Sequence, residues 1–259
     1  MTAAEMLDSS CWTDTPETLA LPVDEVHVWQ AELNQPPQVT RNCLTLLTPD
    51  ERARAARFHF DRDRNHFIVA RGLLRQLLAR YLKMKPANLR FRYGSHGKPS
   101  LIHDTGVENL SFNLSHSHER ALCAVARGRE LGVDIEHLRP EFADRDVAER
   151  FFSRLEVAAL SSLPEEAQVE GFFNCWTRKE AYVKAVGEGL SLPLDRFDVS
   201  LKPGEPAALL GTRGLNEEVS RWQLMELLPG AGYAGALVAE GSGWHLRCWR
   251  WAEKDFEGR

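Results

Sequence analysis

The stretch Gly132-Val133-Asp134-Ile135-Glu136 decides the fold, because it opens a second half of the chain that repeats the element order of the first. Side chains two residues apart share a face of a strand, so the run predicts a strand with Asp134 and Glu136 on one face. Two neighbouring carboxylates repel each other, and burying both would raise the pKa of at least one. A divalent cation would remove that conflict, and a solvent-facing strand edge would avoid it. The motif alone leaves both interpretations open.

Helix and strand patterns fill the first half of the chain. Thr48, Pro49 and Glu51 predict a helix start, with an N-cap, a proline at the first helical position and a capping box. Apolar residues at helical spacing predict a longer helix over about 62–82. Strands are predicted over 27–33, 89–93, 110–114 and 122–126.

The second half shows the same order of strand, helix, longer helix and strands. A helix is predicted over about 146–160 and a longer one over 171–186, closed by Gly187 and Gly189. Further strands are predicted over 197–201, 222–227, 233–238 and 244–251. The halves together predict an α+β fold of two similar lobes that meet near residue 130. The predicted organisation is an irregular lead-in over 1–24, an N-terminal lobe over 25–130 and a C-terminal lobe with C-terminal strands over 131–259.

Charge is distributed unevenly along the chain. The formal net charge of −5 argues against a surface built for nucleic acid. Residues 51–92 nevertheless hold twelve of the 32 Lys and Arg residues and only three acidic ones. Such a basic segment suits an anionic ligand or an acidic partner, and a solvated helix face explains it as well.

Nothing in the sequence indicates export or membrane insertion. The N-terminus lacks the basic and apolar regions of a signal peptide, and no apolar run approaches the roughly 20 residues of a membrane span. The cysteines include no CxxC pair, and their odd number fits no closed disulfide framework. Reduced thiols in a cytoplasmic protein are expected for all five: Cys11, Cys43, Cys123, Cys175 and Cys248.

The helical run over 176–184 is the second motif whose side chains could form a functional site. Trp176, Glu180 and Lys184 are four residues apart and therefore lie on one stripe of the helix. Glu180 and Lys184 could form an ordinary surface ion pair. Because Trp176 begins the stripe and Val183 lies beside it, we expect the stripe to border the core. A carboxylate and an ammonium there could serve a metal and a phosphate together.

Two polar segments are predicted as turns. The run NLSHSH over 113–118 carries hydroxyl and imidazole groups that suit phosphate oxygens, although a plain polar turn also explains it. A zinc site at His116 and His118 lacks further ligands at usable spacing, and no GxSxG nucleophile motif occurs. The segment GSHGKP over 94–99 presents Lys98 on a turn. The glycine-rich nucleotide loops are absent from the sequence.

In this order the motifs resemble those of the 4′-phosphopantetheinyl transferases of the surfactin-synthetase-activating (Sfp) type. The resemblance covers roughly residues 45–200. It rests on GKP at 97–99, NLSHS at 113–117, GVDIE at 132–136 and WTRKEAYVKAVGEGL at 176–190, with FFS at 151–153 and SLPLDRF at 191–197 between and after them. It implies a monomer of two pseudo-twofold-related α+β lobes with coenzyme A bound in the cleft between them.

The resemblance also implies roles for individual residues. Asp134, Glu136 and Glu180 would hold Mg²⁺ against the pyrophosphate of coenzyme A. Positions that contact the phosphates of coenzyme A in the family are matched by Lys98, Ser115, His116 and Lys184. Arg54 matches one position of a basic patch for the 3′-phosphate. Two positions of that patch depart from the family, since Glu51 stands for a lysine and His66 for an arginine, and the neighbouring arginines 52, 57, 62 and 64 could compensate.

The implied reaction is transfer of the 4′-phosphopantetheine arm of coenzyme A to a serine of an apo acyl or peptidyl carrier protein, with release of 3′,5′-ADP. Glu180 is the candidate general base and Lys184 a second positive centre. Residues 185–194 are the candidate contact with the carrier protein, and packing within the protein is the alternative. Two other functions are considered: a metal-dependent phosphohydrolase acting on coenzyme A or a nucleotide, and a non-catalytic coenzyme A-binding protein.

Overall fold

The computed structural model describes residues 12–102, 109–213 and 216–256 of the 259-residue chain. Eight α-helices occur in these ranges: α1 Pro37–Leu46, α2 Pro49–Ala55, α3 Asp61–Leu82, α4 Arg145–Phe151, α5 Arg154–Ser161, α6 Glu165–Val186, α7 Asn216–Arg221 and α8 Glu253–Phe256. The strands of the same ranges are β1 Thr13–Asp14, β2 Glu25–Glu32, β3 Phe91–Tyr93, β4 Pro99–Leu101, β5 Leu110–Ser117, β6 Arg120–Arg127, β7 Leu131–His137, β8 Phe197–Val199, β9 Leu209–Thr212, β10 Trp222–Leu227, β11 Tyr233–Glu240 and β12 His245–Trp251.

Two larger sheets organise the described residues. The first has the strand order β1-β12-β2-β6-β5, in which β12 runs parallel to both β1 and β2 while β6 is antiparallel to β2 and β5. The second has the antiparallel order β10-β11-β7. Two-stranded ribbons, β3-β4 and β8-β9, complete the sheet structure of these ranges. The mixture of helices and mainly antiparallel sheets confirms the predicted α+β class.

Alternating residues of the strands line three hydrophobic clusters. Trp29 of β2 and Cys123 of β6 pack with apolar residues of α3 such as Leu74 in one cluster. Their neighbours Val28 and Leu122 point the other way and pack with apolar residues of β7 and β11 in a second cluster. The opposite face of the second sheet packs against α6. This is the period-two alternation expected of strands buried on both faces, and it places α3 and α6 outside the two sheets.

Most long elements were predicted correctly, and two predictions were wrong. The helix expected over 146–160 is interrupted between α4 and α5, because Ser153 begins a new helix. The Ser153 hydroxyl accepts a hydrogen bond from the Glu156 N–H at 3.2 Å, and a Glu156 carboxylate oxygen accepts one from the Ser153 N–H at 2.8 Å. This reciprocal pair is a capping box. The NLSHSH run is not a turn, because residues 113–117 lie inside β5 and the turn follows at His118, where φ is +51°.

Residues near both ends of the described chain take part in the first sheet. Thr13 and Asp14 of the predicted lead-in pair with Trp249 and Arg250 of β12, and Trp12 is buried. Strand β12 itself pairs along its length with β2, so it completes the sheet that is built mainly from the first half. The division into lobes at residue 130 stays a prediction.

Neither a disulfide nor a membrane span occurs among the described residues. Cys43, Cys123 and Cys175 are buried and free, Cys248 is buried, and Cys11 lies outside the described ranges. None of the described helices combines the length and the apolar composition needed to cross a bilayer.

Candidate active site

Glu180 and Lys184 face a cavity of about 520 Å³ beside the C-terminal part of α6. Its wall includes side chains that precede residue 130 and side chains that follow it. The apolar part of the wall is formed by Leu114, Phe151, Val183, Leu192 and Leu194. The polar part is formed by His96, Lys98, Asn113, Arg150, Glu180, Lys184 and Asp195. A charged group and an apolar surface therefore meet in one pocket of the size that binds small molecules.

Asp134 is the central acid of the site and is 3% exposed. Its Oδ1 accepts hydrogen bonds from the Ser115 hydroxyl at 2.7 Å and from Lys184 Nζ at 2.6 Å. Lys184 Nζ also donates to the Ser115 oxygen at 3.0 Å, so the three side chains form a closed triangle. Three residues singled out in the sequence are thus in direct contact, although they come from β5, β7 and α6.

Gly132 explains how β7 and α6 come this close. A Cβ atom built on Gly132 would lie 2.1 Å from the Ala181 carbonyl oxygen and 2.4 Å from the Ala185 backbone nitrogen. Any residue other than glycine would therefore push the strand away from the helix backbone. The glycine of the GVDIE motif brings the strand carrying Asp134 against the helix turn that carries Lys184.

Two further acids flank this triangle and have perturbed pKa values. Burial raises the pKa of Glu180, and the nearby Asp134 carboxylate raises it further. Burial also raises the pKa of Glu136, which Asp134 repels in the same way, while a hydrogen bond from the Ser117 hydroxyl at 2.6 Å opposes the shift. The expectation that two acids on one strand face raise a pKa is confirmed for Glu136. Each of these acids is destabilised as an anion in the protein without a cation.

The carboxylates fit a hard cation by their chemistry. Asp134 Oδ2 is buried and has no hydrogen-bond partner in the described part of the chain. An orphaned carboxylate oxygen next to two acids of raised pKa is a donor set that Mg²⁺ accepts, since Mg²⁺ needs few protein oxygens. In residues 12–102, 109–213 and 216–256, however, no three His, Cys, Asp or Glu side chains are gathered closely enough to hold a metal ion. The Lys184 ammonium is the cation that touches Asp134 in this structure.

His116 and Arg54 lie near this centre but face other cavities. His116 and Glu136 line a cavity of about 360 Å³ together with His66 and Arg62. Burial lowers the pKa of His116, and the Lys184 charge lowers it further, so its imidazole is held neutral. Arg54 lines a cavity of about 570 Å³, where its guanidinium stacks on the Phe67 ring with 5.3 Å to the centroid.

The basic patch has a different structure from the one expected. Glu51 is 5% exposed and accepts hydrogen bonds from Arg71 at 2.6 Å and from Arg75 at 2.7 Å. These bonds explain why an acid is tolerated at this position of a basic segment, and the guanidinium groups lower the pKa of its carboxyl despite its burial. His66 is hydrogen bonded to the Asn34 side chain at 2.7 Å.

Lys98 is directed to protein groups in this structure. Its Nζ pairs with Glu130 at 2.9 Å and donates to the carbonyl oxygens of Leu131 at 3.3 Å and Ala185 at 3.2 Å. It therefore ties the GKP turn to the start of β7 and to the end of α6. Among the residues considered for contact with a carrier protein, Leu192 lines the cavity beside Lys184 and Ala185 is fully buried in the core. The Leu190 side chain lies outside the described part of the structure.

The sequence analysis missed the hydrogen bonds that polar side chains of β5 make to β7. Asn113 Oδ1 accepts a hydrogen bond from the Val133 N–H at 2.9 Å, and Ser117 holds Glu136. Asn113, Ser115 and Ser117 share one face of β5 and all bond to β7. Their spacing of two residues indicates one face of a strand, but the polar composition of the run favoured a turn.

Comparison with known proteins identifies the class first. Residues 130–238 match the model of the 4′-phosphopantetheinyl transferase superfamily, and residues 27–127 match the model of the 4′-phosphopantetheinyl transferase N-terminal region. The protein is therefore a transferase of this superfamily, with the two matches lying side by side along the chain.

Relatives define the family more closely. The 4′-phosphopantetheinyl transferase HetI of Nostoc sp. is 40% identical over 93% of this chain and 98% of its own length. The 4′-phosphopantetheinyl transferase Sfp of Bacillus subtilis is 31% identical over 61% of this chain and 68% of its own length. The solved holo-[acyl-carrier-protein] synthase of Thermotoga maritima is 20% identical, with a TM-score of 0.34 over 44% of this chain and 63% of its own.

The chain belongs to the 4′-phosphopantetheinyl transferase family, and it is of the Sfp type. The resemblance seen in the sequence motifs is confirmed. Enzymes of this family use coenzyme A as a substrate. None of these matches supports a phosphohydrolase or a non-catalytic binding protein.

Proposed function

We propose that this enzyme transfers the 4′-phosphopantetheine arm of coenzyme A to a serine hydroxyl of an apo acyl or peptidyl carrier protein and releases 3′,5′-ADP. The observation that carries the proposal is the contact of Asp134 with Lys184 and Ser115, at the side of a cavity that also receives Glu180. The site combines acids, a lysine and an apolar wall, which suits a ligand with a charged diphosphate and an uncharged arm.

In this proposal Mg²⁺ is held by Asp134, Glu136 and Glu180. The support is the buried, unpartnered Asp134 Oδ2 and the raised pKa values of the two glutamates, because a bound cation would relieve all three. When bound, Mg²⁺ supplies positive charge that stabilises the diphosphate and the departing phosphate group.

Residues of the chain supply the remaining phosphate contacts. Lys184 provides an ammonium at the cavity, and Ser115 and His116 provide a hydroxyl and a neutral imidazole that can donate hydrogen bonds. Lys98 and Arg54 are proposed as outer contacts of coenzyme A, Arg54 on the side of the 3′-phosphate. For Lys98 this role requires its ammonium to leave Glu130, which is half exposed and therefore a weak partner.

Glu180 is the proposed general base. Its side chain lines the cavity beside Lys184, where the carboxylate can accept the proton of the serine hydroxyl. The serine oxygen forms a bond to the β-phosphorus of coenzyme A, the bond between that phosphorus and the bridging oxygen breaks, and 3′,5′-ADP departs with the bridging oxygen. Transfer of this kind depends mainly on positioning and on neutralising phosphate charge.

The proposal extends to the organisation of the molecule. We infer two pseudo-twofold-related lobes, over 25–130 and 131–259, with the substrate cleft between them. Support comes from the cavity beside Lys184, whose wall combines residues of both ranges. A monomer in the cytoplasm is proposed as well, and the buried free thiols of Cys43, Cys123 and Cys175 are consistent with a reducing compartment.

The test is incubation with coenzyme A, Mg²⁺ and an apo carrier protein, followed by intact-mass analysis of the carrier. A mass increase equal to the phosphopantetheine arm supports transfer, and a carrier whose acceptor serine is replaced by alanine should stay unchanged. Release of 3′,5′-ADP without modification of the carrier would indicate hydrolysis and refute the proposal. Glu180→Gln should abolish the mass shift. The matched control is Glu166→Gln, which changes an exposed acid in the first turn of the same helix.

A further inference from the structure

The turn over 94–98 lines the cavity beside Lys184 and touches the segment that follows α6. His96 Nε2 is hydrogen bonded to the Ser191 hydroxyl at 2.6 Å, and its Nδ1 is hydrogen bonded to the Ser95 hydroxyl at 3.0 Å. Hydroxyl groups both donate and accept, so either neutral tautomer of His96 satisfies both bonds. The ring of His96 therefore has a fixed orientation between its own turn and the segment over 187–191.

The backbone around Gly189 approaches the His96 side chain closely. Gly189 has φ of +54°, and a Cβ atom built on it would lie 2.7 Å from His96 Cβ. Gly187, which ends α6, also has a left-handed φ, of +83°. Glycine at both positions lets the chain turn sharply after α6 and pass directly beneath the His96 side chain.

The segment continues as part of the wall of the cavity beside Lys184. Leu192, Pro193, Leu194 and Asp195 line it together with His96 and Gly97. The far end of this wall is held from inside by Lys179, whose Nζ donates to the Leu194 carbonyl at 2.6 Å and pairs with Glu156 at 2.8 Å. The near end is held by the bond between His96 and Ser191, which lies at the surface.

We propose that His96 is a positioning residue of the transfer reaction, which acts through Ser191 to fix the wall over 187–195 where the acceptor serine enters. The proposal rests on the proposed function and identifies a determinant of carrier-protein recognition within it. His96 is exposed, whereas Asp134 is buried and Glu180 and Lys184 are partly buried. Loss of the bond should therefore weaken productive docking of the carrier more than binding of coenzyme A.

The kinetic test compares His96→Ala, Ser191→Ala and the double variant. Each single variant should raise the KM for the apo carrier protein roughly three- to tenfold, the range that corresponds to losing one hydrogen bond. The kcat and the KM for coenzyme A should stay within about twofold of the parent. Since the two residues act through one bond, the double variant should resemble the singles, and His96→Gln, which keeps an amide donor at similar reach, should recover most of the loss. Ser100→Ala is the matched control, because it removes the Arg92–Ser100 bond at 3.0 Å from the same hairpin, away from the wall.

A structural measurement tests the same proposal independently of activity. Hydrogen exchange of the Ser191 and Leu192 amides, which are bonded to the Glu188 and Gly189 carbonyls, should be faster in His96→Ala than in Ser100→Ala. Unchanged exchange, or an equal rise in the KM for both substrates, would overturn the role of His96. If the parent enzyme modifies no carrier protein, the proposed function is contradicted. Faster amide exchange in His96→Ala would then still show that the hydrogen bond between His96 and Ser191 holds the segment over 187–195.

Discussion

Replacing Gly132 by alanine tests whether the close approach of β7 to α6 positions the catalytic groups. The added Cβ atom would lie 2.1 Å from a backbone oxygen of the helix, where real Cβ atoms keep at least 3.0 Å. Strand and helix must therefore separate by about 1 Å, and neither can yield by rotating a side chain. Overpacking of this kind costs about 1–3 kcal/mol of stability. A displacement of about 1 Å between Asp134 and Lys184 should reduce kcat about a hundredfold.

The assay measures both quantities on the same preparation. Urea unfolding gives the stability, and single-turnover transfer to the apo carrier protein gives the rate. Gly94→Ala is the control, since a Cβ atom there meets nothing nearer than the Lys98 carbonyl oxygen at 3.7 Å. If Gly132→Ala folds and retains more than about a tenth of the parental rate, the strand–helix contact is not what places Asp134 and Lys184.

Three further changes probe the site and its support. Asp134→Ala should abolish transfer and leave far-UV circular dichroism unchanged, because it removes the partner of Lys184 and Ser115; residual turnover near the parental level would contradict its role. Burial raises the pKa of Glu180 in the folded protein, so its carboxyl group stabilises the fold at a pH below the ordinary carboxyl pKa of about 4.3. This contribution to stability is lost as the pH rises through the pKa of the folded state. Glu180→Gln should therefore have a higher melting temperature than the parent at about pH 8 in EDTA, and the difference should vanish near pH 4. Equal melting temperatures at about pH 8 would contradict a raised pKa of Glu180. Lys179→Met should lower the free energy of unfolding by about 3–5 kcal/mol, because it leaves Glu156, which is 3% exposed, without its cation, and adding Glu156→Gln should restore part of the loss in urea titrations.

The elements of the site were predictable where local pattern decides them. The alternation around Asp134 fixed β7, and the helical spacing from Trp176 to Lys184 fixed α6 with both functional side chains on one stripe. Which atoms meet was not predictable, because the distance between β7 and α6 depends on a backbone contact at Gly132. That contact has no signature in the periodicity of either element.

The errors have identifiable physical causes. The helix over 146–160 was taken as continuous because its apolar spacing runs through the break, although Ser153 and Glu156 carry the capping-box pattern that starts a helix. The polar residues over 113–117 resemble those of a solvent-exposed turn, but their side chains hydrogen bond to carboxylates and backbone groups of β7. Local composition is the same in both cases, so it cannot tell a buried polar strand from an exposed turn. Contact of Lys98 with a phosphate of coenzyme A stays a prediction, since its ammonium here bonds to Glu130 and to the carbonyl oxygens of Leu131 and Ala185.

The parallel pairing of β12 with β2 has a consequence for synthesis of the chain. Strand β2 lies between β12 and β6, so one of its two edges has no partner until residues 245–251 have left the ribosome. Contacts of such long sequence separation form late, and an unpaired strand edge is prone to mispairing in the meantime. The sheet that contains β2 therefore stays incomplete until residues 245–251 have been synthesised.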